Sequence, residues 1–203
     1  MAITLAAAAL GGIVKLNVGG EPREFYVHQH GTERTILVQR YVEGFVRISK
    51  TSNGWMKDGY IGGEADTYLN VTYAATLDQD VLAVSAADIK YQDAYPGDYH
   101  VISRNVFMLS ADEYGSGGAP IAATKGDGTP QAYWTSTPQV AEVQAGSTYY
   151  YVDSSGTTKT QNGYTQDCVR PCISLPNNTI VNDDGTLTVV SLDSKTLLPC
   201  IKY

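Results

Sequence analysis

In this 203-residue chain the side chains suited to chemistry are few and thinly spread. His28 and His30 flank Gln29, so on a strand both rings point to one side and are placed to chelate. No third or fourth ligand follows at a metal-site spacing, and the pair reads as ordinary strand histidines with no metal. Cys168 and Cys172 lie four positions apart. On a strand rising ~3.3 Å per residue, that separation is too long for a disulfide. Cys200 brings the cysteine count to three, an odd number that speaks against a disulfide framework. A nucleophilic thiol needs a base and an orienting group beside it, and the neighbouring sequence supplies neither. Asp127-Gly128 and Asp183-Asp184-Gly185 lack the alternating oxygens and distal Glu of a calcium loop, and read as turns. No motif singles out two of the 21 acidic residues as a glycosidase pair. The expectation is a protein that is not an enzyme and carries no cofactor.

The denser signal lies in residues 132–175. They hold Trp134 and five of the fifteen tyrosines (Tyr133, Tyr149, Tyr150, Tyr151 and Tyr164) among Ser, Thr, Gln, Asn and Gly, with only five charges. Aromatic rings on short side chains give contact area at low entropic cost, and small polar residues give adaptable hydrogen bonds, which is the chemistry of a paratope. The stretch closes on VRPCISL at 169–175, apolar enough for a buried strand. Arg170, next to Pro171, is a charge that needs a partner there: an Asp such as Asp167 or Asp153, or backbone carbonyls. Both residues are assigned structural roles.

The elements that must position these residues are mostly strands. Gly at 20 and Tyr at 15, with 43% hydrophobic and 17% charged residues, point to a turn-rich α+β chain of one domain. A net charge of −7 argues against nucleic acid. No stretch approaches the ~20 apolar residues of a membrane span. Residues 5–10 are too short for a signal-peptide core and have no positive charge before them. They read as a short helix capped by Thr4 and stopped by Gly11-Gly12. Residues 13–18 and 21–28 form a hairpin, and 35–42 and 44–49 are further strands. Ser52-Asn53-Gly54 turns toward Trp55, and 59–63 is loop. Asp66 caps a short helix over 66–70, and 78–91 forms another. Residues 100–110 read as a buried strand, and 115–130, with five glycines and two prolines, as a long loop. A hairpin over 147–159 turns at 153–156. A tail from 179 carries a last hairpin around 183–185, giving a division into 1–178 and a docking extension 179–203.

Taken in order, these pieces resemble a family of bacteriophage-encoded proteins, common in phages and prophages of Gram-positive gut bacteria and related to the variable proteins of diversity-generating retroelements. The opening ITLAAAALGGIVKLNVGGEPREF is similar to that family's first helix and hairpin. Trp55 with DTYLN at 66–70 and the segment 78–91 match its tryptophan, YLN helix and following helix. VFMLSADEYG at 106–115 is similar to FLLSxxEVG, YWTSTP at 133–138 to WWLRSP, YVDSSG at 151–156 to a V-N-x-D-G turn, and VRPCISL to VRPALxL. Tyr133, Thr135 and Cys172 depart from those patterns. The calcium-dependent sugar motifs of animal lectins are absent.

The resemblance implies a C-type-lectin-like fold with short antiparallel sheets, one or two helices and long loops. It implies a virion protein that recognises a host-surface glycan or protein at the tail tip, fibre or baseplate, or else a capsid or tail decoration protein. Its partners would be other virion subunits and further copies of itself. The relatives vary residues over the stretch equivalent to 133–166, so Tyr133, Trp134, Tyr149, Tyr151 and Tyr164 are the expected ligand contacts. Strand alternation should turn about half of the hairpin tyrosines inward.

Overall fold

Period-two burial organises the chain, and the fold is sheet-rich α+β. The computed structural model describes residues 2–48, 60–93, 97–139 and 148–190. β1 (Ile3–Thr4) leads into a single 3-10 turn at Leu5–Ala7, so the helix expected over 5–10 is cut short, and Thr4 makes no side-chain cap. β2 (Ile13–Val18) buries Val14, Leu16 and Val18 in alternation, turns at Gly19-Gly20 with both at positive φ, and returns as β3 (Glu21–His30). β4 (Arg34–Gln39) and β5 (Glu43–Val46) follow. α1 (Glu64–Thr67) runs on through a π-helical turn at Tyr68–Tyr73, and α2 (Gln79–Ser85) comes next.

β6 (Ala87–Gln92) and β7 (Tyr99–Arg104) pair only with each other, as a two-stranded ribbon, and β8 (Val106–Phe107) is buried. α3 (Ala111–Ser116) starts at Ser110, whose hydroxyl accepts from Glu113 N–H while Glu113 reaches back to Ser110 N–H. β9 (Ala123–Thr124) and β10 (Pro130–Gln131) pair across the glycine-rich stretch. The second half supplies β11 (Tyr133–Pro138), β12 (Thr148–Val152), β13 (Thr158–Asn162), β14 (Asp167–Val169) and β15 (Cys172–Pro176). β16 (Ile180–Val181) and β17 (Leu187–Thr188) end the described chain.

One sheet has the order β2-β3-β4-β15-β8 and the other β13-β12-β11-β14-β5. Successive residues of their strands feed two hydrophobic clusters by turns. Tyr133, Cys168 and Cys172 enter one cluster, while their neighbours Trp134, Val169 and Ile173 enter the other. Both faces of both sheets are therefore covered along their inner strands.

Several expectations are corrected by this arrangement. The helix placed at 66–70 begins at Glu64, behind Gly63 rather than Asp66. Asp66 lies in the first turn instead, accepting from Gly62 N–H at 2.7 Å and holding Arg104 through two bonds of 2.8 and 3.0 Å. The helix placed at 78–91 stops at Ser85, because Ala87, Ile89 and Tyr91 alternate with Asp88, Lys90 and Gln92 and pair as β6. The buried strand placed at 100–110 splits into an exposed β7 and a buried β8. VRPCISL is two strands in two sheets, β14 and β15, broken at Arg170-Pro171.

The stretch 115–130 packs closely against the body. A Cβ on Gly117 would meet the His28 ring at 2.2 Å, and Gly118 N–H bonds His28 C=O at 2.8 Å. As far as residue 190 the tail belongs to the body rather than forming an extension. β16 and β17 complete a sheet with β1, Thr179 is buried, and Val181 joins the core. Trp55 and the turn at 52–54 lie outside the described residues. Among the described residues no helix is long and apolar enough to cross a membrane.

Asp66 joins the helical segment to the base of the ribbon. Asp66→Ala leaves the Arg104 guanidinium and Gly62 N–H without their acceptor, and is expected to cost about 2–3 kcal/mol. Urea unfolding measures it, and a loss under ~0.5 kcal/mol would show that the pair holds nothing.

Candidate functional site

The aromatic stretch is where the sequence places a site, and the packing decides most of it. Tyr133, Trp134 and Tyr149 are each 0% exposed, so the expectation that they touch a ligand is corrected. Trp134 donates its indole N–H to Val46 C=O at 3.0 Å, and Tyr133 its hydroxyl to Ile121 C=O at 2.6 Å. Tyr133 also meets Tyr114 edge-on, with centroids 5.1 Å apart. These rings are core because β11 and β12 are inner strands with a hydrophobic cluster on each face. Tyr151, edge-on to Trp134, and Tyr164 remain half-exposed, as does Tyr150. In the β12–β13 register Tyr150 pairs with Thr160 and Tyr151 with Lys159, so these two rings stand on opposite faces of the hairpin. No continuous aromatic surface survives there.

Arg170 and Pro171 stand at the switch between β14 and β15. Arg170 is fully buried and bonds Gln39 C=O at 2.9 Å through Nε and Pro120 C=O at 2.6 Å through Nη1. Its guanidinium lies 5.4 Å from the Tyr133 ring centre and 6.0 Å from that of Tyr26. Carbonyls, not Asp167 or Asp153, take its Nε and Nη1, and Nη2 is buried with no hydrogen-bond partner among the described residues. Asp167 accepts instead from the Gln161 and Gln131 side-chain amides and from Cys168 N–H, and burial pushes its carboxyl up. Asp153 is the turn acceptor for Ser155 and Thr157, with Lys159 holding its carboxyl well below the usual range. Asp127 and Asp184 cap their own turns in the same way, accepting from Thr129 and Thr186 N–H.

The remaining reactive types are equally committed. Cys172 is pushed up to about 12 by burial, which outweighs the lowering influence of Tyr114 and Arg170, and burial also raises Cys168. Both are thiols rather than thiolates. His28 donates from Nε2 to Glu113 C=O at 2.9 Å and accepts Ala119 N–H on Nδ1 at 3.3 Å, which sets the neutral ring with its proton on Nε2. His30 bonds Thr35 and Ala8 C=O. Among the described residues no group of three or more His, Cys, Asp or Glu is placed to hold a metal.

A groove lies elsewhere, between the β6–β7 ribbon and the body, and no catalytic or metal-ligand motif in the sequence marks its residues. Its inner compartment, about 440 Å³, has an apolar floor of Ile36, Ile89, Phe107, Met108 and Leu109. Its outer compartment, about 220 Å³, joins Tyr91 and Tyr99 of the ribbon to Asp112 of α3 and to Ser136 and Thr137 of β11. Lys90 and Glu113 line both compartments. Tyr91 stacks on His100 at 5.3 Å, and Lys90 Nζ lies 4.1 Å from the Tyr99 ring centre. Among the described residues of the stretch expected to bind, Ser136 and Thr137 line this groove. The period-two pattern of 87–92 was the available signal, hidden inside a segment read as helix. An apolar floor with a few polar groups on the rim is the usual make-up of a ligand site.

A family model described as a domain of unknown function (DUF6273) matches residues 32–177, from the start of β4 to the end of β15. The chain belongs to that family. No curated protein and no solved structure matches it. The matched span of this DUF6273 domain contains the whole groove apart from Gln29 and Gly31 on its rim.

Two outcomes test the inward reading of these residues. Trp134→Ala is expected to cost about 3–5 kcal/mol in urea unfolding, and Tyr164→Ala about 1 kcal/mol or less. Equal costs would contradict the burial difference.

His28 gives a pH dependence. Burial, with a smaller contribution from Arg170, lowers its folded pKa below the ordinary 6.5, against the opposing Glu113 C=O bond. As pH falls through 6.5 the unfolded chain takes up a proton that the folded chain refuses, so stability is full above that pH and is lost below it, down to the folded value. Comparing urea midpoints at pH 8 and pH 5.5 should show this loss in the wild type and a smaller one in His28→Gln.

Proposed function

We propose that this chain is a non-enzymatic binding module of a bacteriophage virion, built as a C-type-lectin-like domain and carried at the tail tip, fibre or baseplate to recognise a host-surface ligand. The virion setting rests on the ordered resemblance of DTYLN, VFMLSADEYG, YWTSTP and VRPCISL to the phage family. The recognition role rests on one observation, the two-compartment groove under the ribbon, where Tyr91, Tyr99, Ser136 and Thr137 offer rings and hydroxyls beside an apolar floor. Recognition belongs to this groove rather than to Tyr133, Trp134 and Tyr149, whose buried rings hold the sheet that forms one wall.

A decoration role is favoured by a different observation. The ribbon shows Tyr99 and Val101 at 61% and 67% exposure, and among the described residues β7 pairs only with β6. An open strand edge with exposed apolar residues suits contact with other virion subunits or further copies of this chain.

Labelled protein incubated with Gram-positive host cells and with their wall glycans tests the leading reading. The double variant Tyr91→Ala, Tyr99→Ala is expected to lose tenfold or more of the binding, and Tyr151→Ala, Tyr164→Ala to keep it. The reverse pattern would move recognition to the β12–β13 hairpin. Immunogold label on the head instead of the tail would favour decoration.

A further inference from the structure

The inner compartment of the groove carries a partly buried cation whose partners are all neutral. Arg34 donates from Nε to Ser174 Oγ at 3.0 Å, and from Nη2 to Ser174 C=O at 2.6 Å and Val84 C=O at 2.7 Å. Its Nη1 has no hydrogen-bond partner, and the guanidinium no ion pair, among the described residues. Burial lowers the pKa of this group, and the nearby Glu33 carboxylate offsets only part of that. Three bonds fix the planar group in the wall of the cleft, so an incoming anion would meet a donor already ordered.

The floor beside it is unfinished core. Ile36 on the first sheet and Ile89 on the ribbon both pack against the second hydrophobic cluster, yet both stay half-exposed and line the compartment. An apolar group seated there would complete their burial. Lys90 adds a second cation at the waist between compartments. Of the two acids on the lining, Glu113 has its carboxylate drawn back onto Ser110 N–H at 2.7 Å, and Asp88 stands on the exposed rim. A volume of about 440 Å³ lies in the range of small-molecule sites.

We propose that the inner compartment binds a small ligand with an apolar body and a carboxylate, the body on Ile36, Ile89, Phe107 and Leu109 and the carboxylate on Arg34. This rests on reading the groove as the ligand site, and it adds the ligand's chemical class. Asp88, exposed on the lining, repels a carboxylate and so favours its placement on Arg34.

Isothermal titration of the full chain with indole-3-propionate, indole-3-propionamide and tryptamine tests it. The carboxylate probe should bind at least tenfold tighter than the amide, and tryptamine should bind most weakly. Arg34→Gln should abolish the preference for the acid. Because Arg34 also ties Ser174 and Val84, the variant's urea midpoint is measured beside its binding. The exposed Lys90→Gln serves as the second variant, expected to reduce the preference without moving the midpoint. Equal affinity for acid and amide, preference for tryptamine, or no binding by any probe would each overturn the proposal. Loss of host-cell binding in Tyr91→Ala, Tyr99→Ala with no probe binding would remove this ligand class and leave the groove reading standing. Probe binding with host binding unchanged in that variant would do the opposite.

Discussion

A guanidinium buried without a carboxylate fixes how the two sheets meet. Arg170 stands where the chain leaves β14 in one sheet and enters β15 in the other. Taking a lone charge out of water costs several kcal/mol unless its donors are met. Here carbonyl oxygens of Gln39 and Pro120 meet Nε and Nη1, two tyrosine rings lie beside the guanidinium, and Nη2 stays buried without a hydrogen bond among the described residues. The exchange runs both ways at Gln39, whose C=O receives Arg170 Nε and whose N–H bonds Pro171 C=O at 2.9 Å. Pro171 contributes by holding Arg170 in extended backbone and by having no N–H of its own to satisfy. The jump between sheets is thus clamped from the side of β4.

That clamp dictates the surroundings. Tyr114 gives its hydroxyl to Arg170 C=O at 3.0 Å, which fixes α3 against the strand switch. His28 is kept neutral beside the charge, and Gly117 lets the chain pass over its ring closely enough for Ala119 N–H to reach Nδ1. Cys172 illustrates which effect wins. A guanidinium and a phenol favour its thiolate, yet complete burial still drives the thiol up. The groups of this centre bond one another and hold Tyr133 and the inner strands in place.

The hairpins were legible because alternation and turn residues act locally. β2 with β3, β12 with β13 and the turn at 183–185 stand where their Gly, Asn and Asp residues put them. The need of Arg170 for partners was legible too, since a charge inside an apolar run must find neutral or ionic ones. What could not be read was which face of the 133–152 segment meets core. Tyrosine and tryptophan among small polar residues describe a binding surface and a two-sided sheet equally well. The choice depends on β5, β14 and the 117–123 segment arriving from elsewhere in the chain. The ribbon was misread for a different reason. Its first strand follows a true helix without a Gly or Pro between them, and at Ala86 the chain simply turns extended, with ψ 124°.

The groove follows from how that ribbon is held. A two-stranded ribbon is marginal by itself, and this one is anchored at its base rather than along its length. Arg104 bonds Asp66, and Asn105 bonds Leu82 C=O at 2.7 Å and Ser85 at 2.8 Å. Toward the tip, His100 pairs with Asp93 on the ribbon's own connection. The second cluster includes the buried Tyr114, Ala119 and Ala123, while Ile36 and Ile89 stand half-covered against it. The space between ribbon and body is therefore set by polar anchors outside the core. Residues along it can change with little cost to the clamp at Arg170, and that separation of a fixed frame from a free rim is what a recognition site requires.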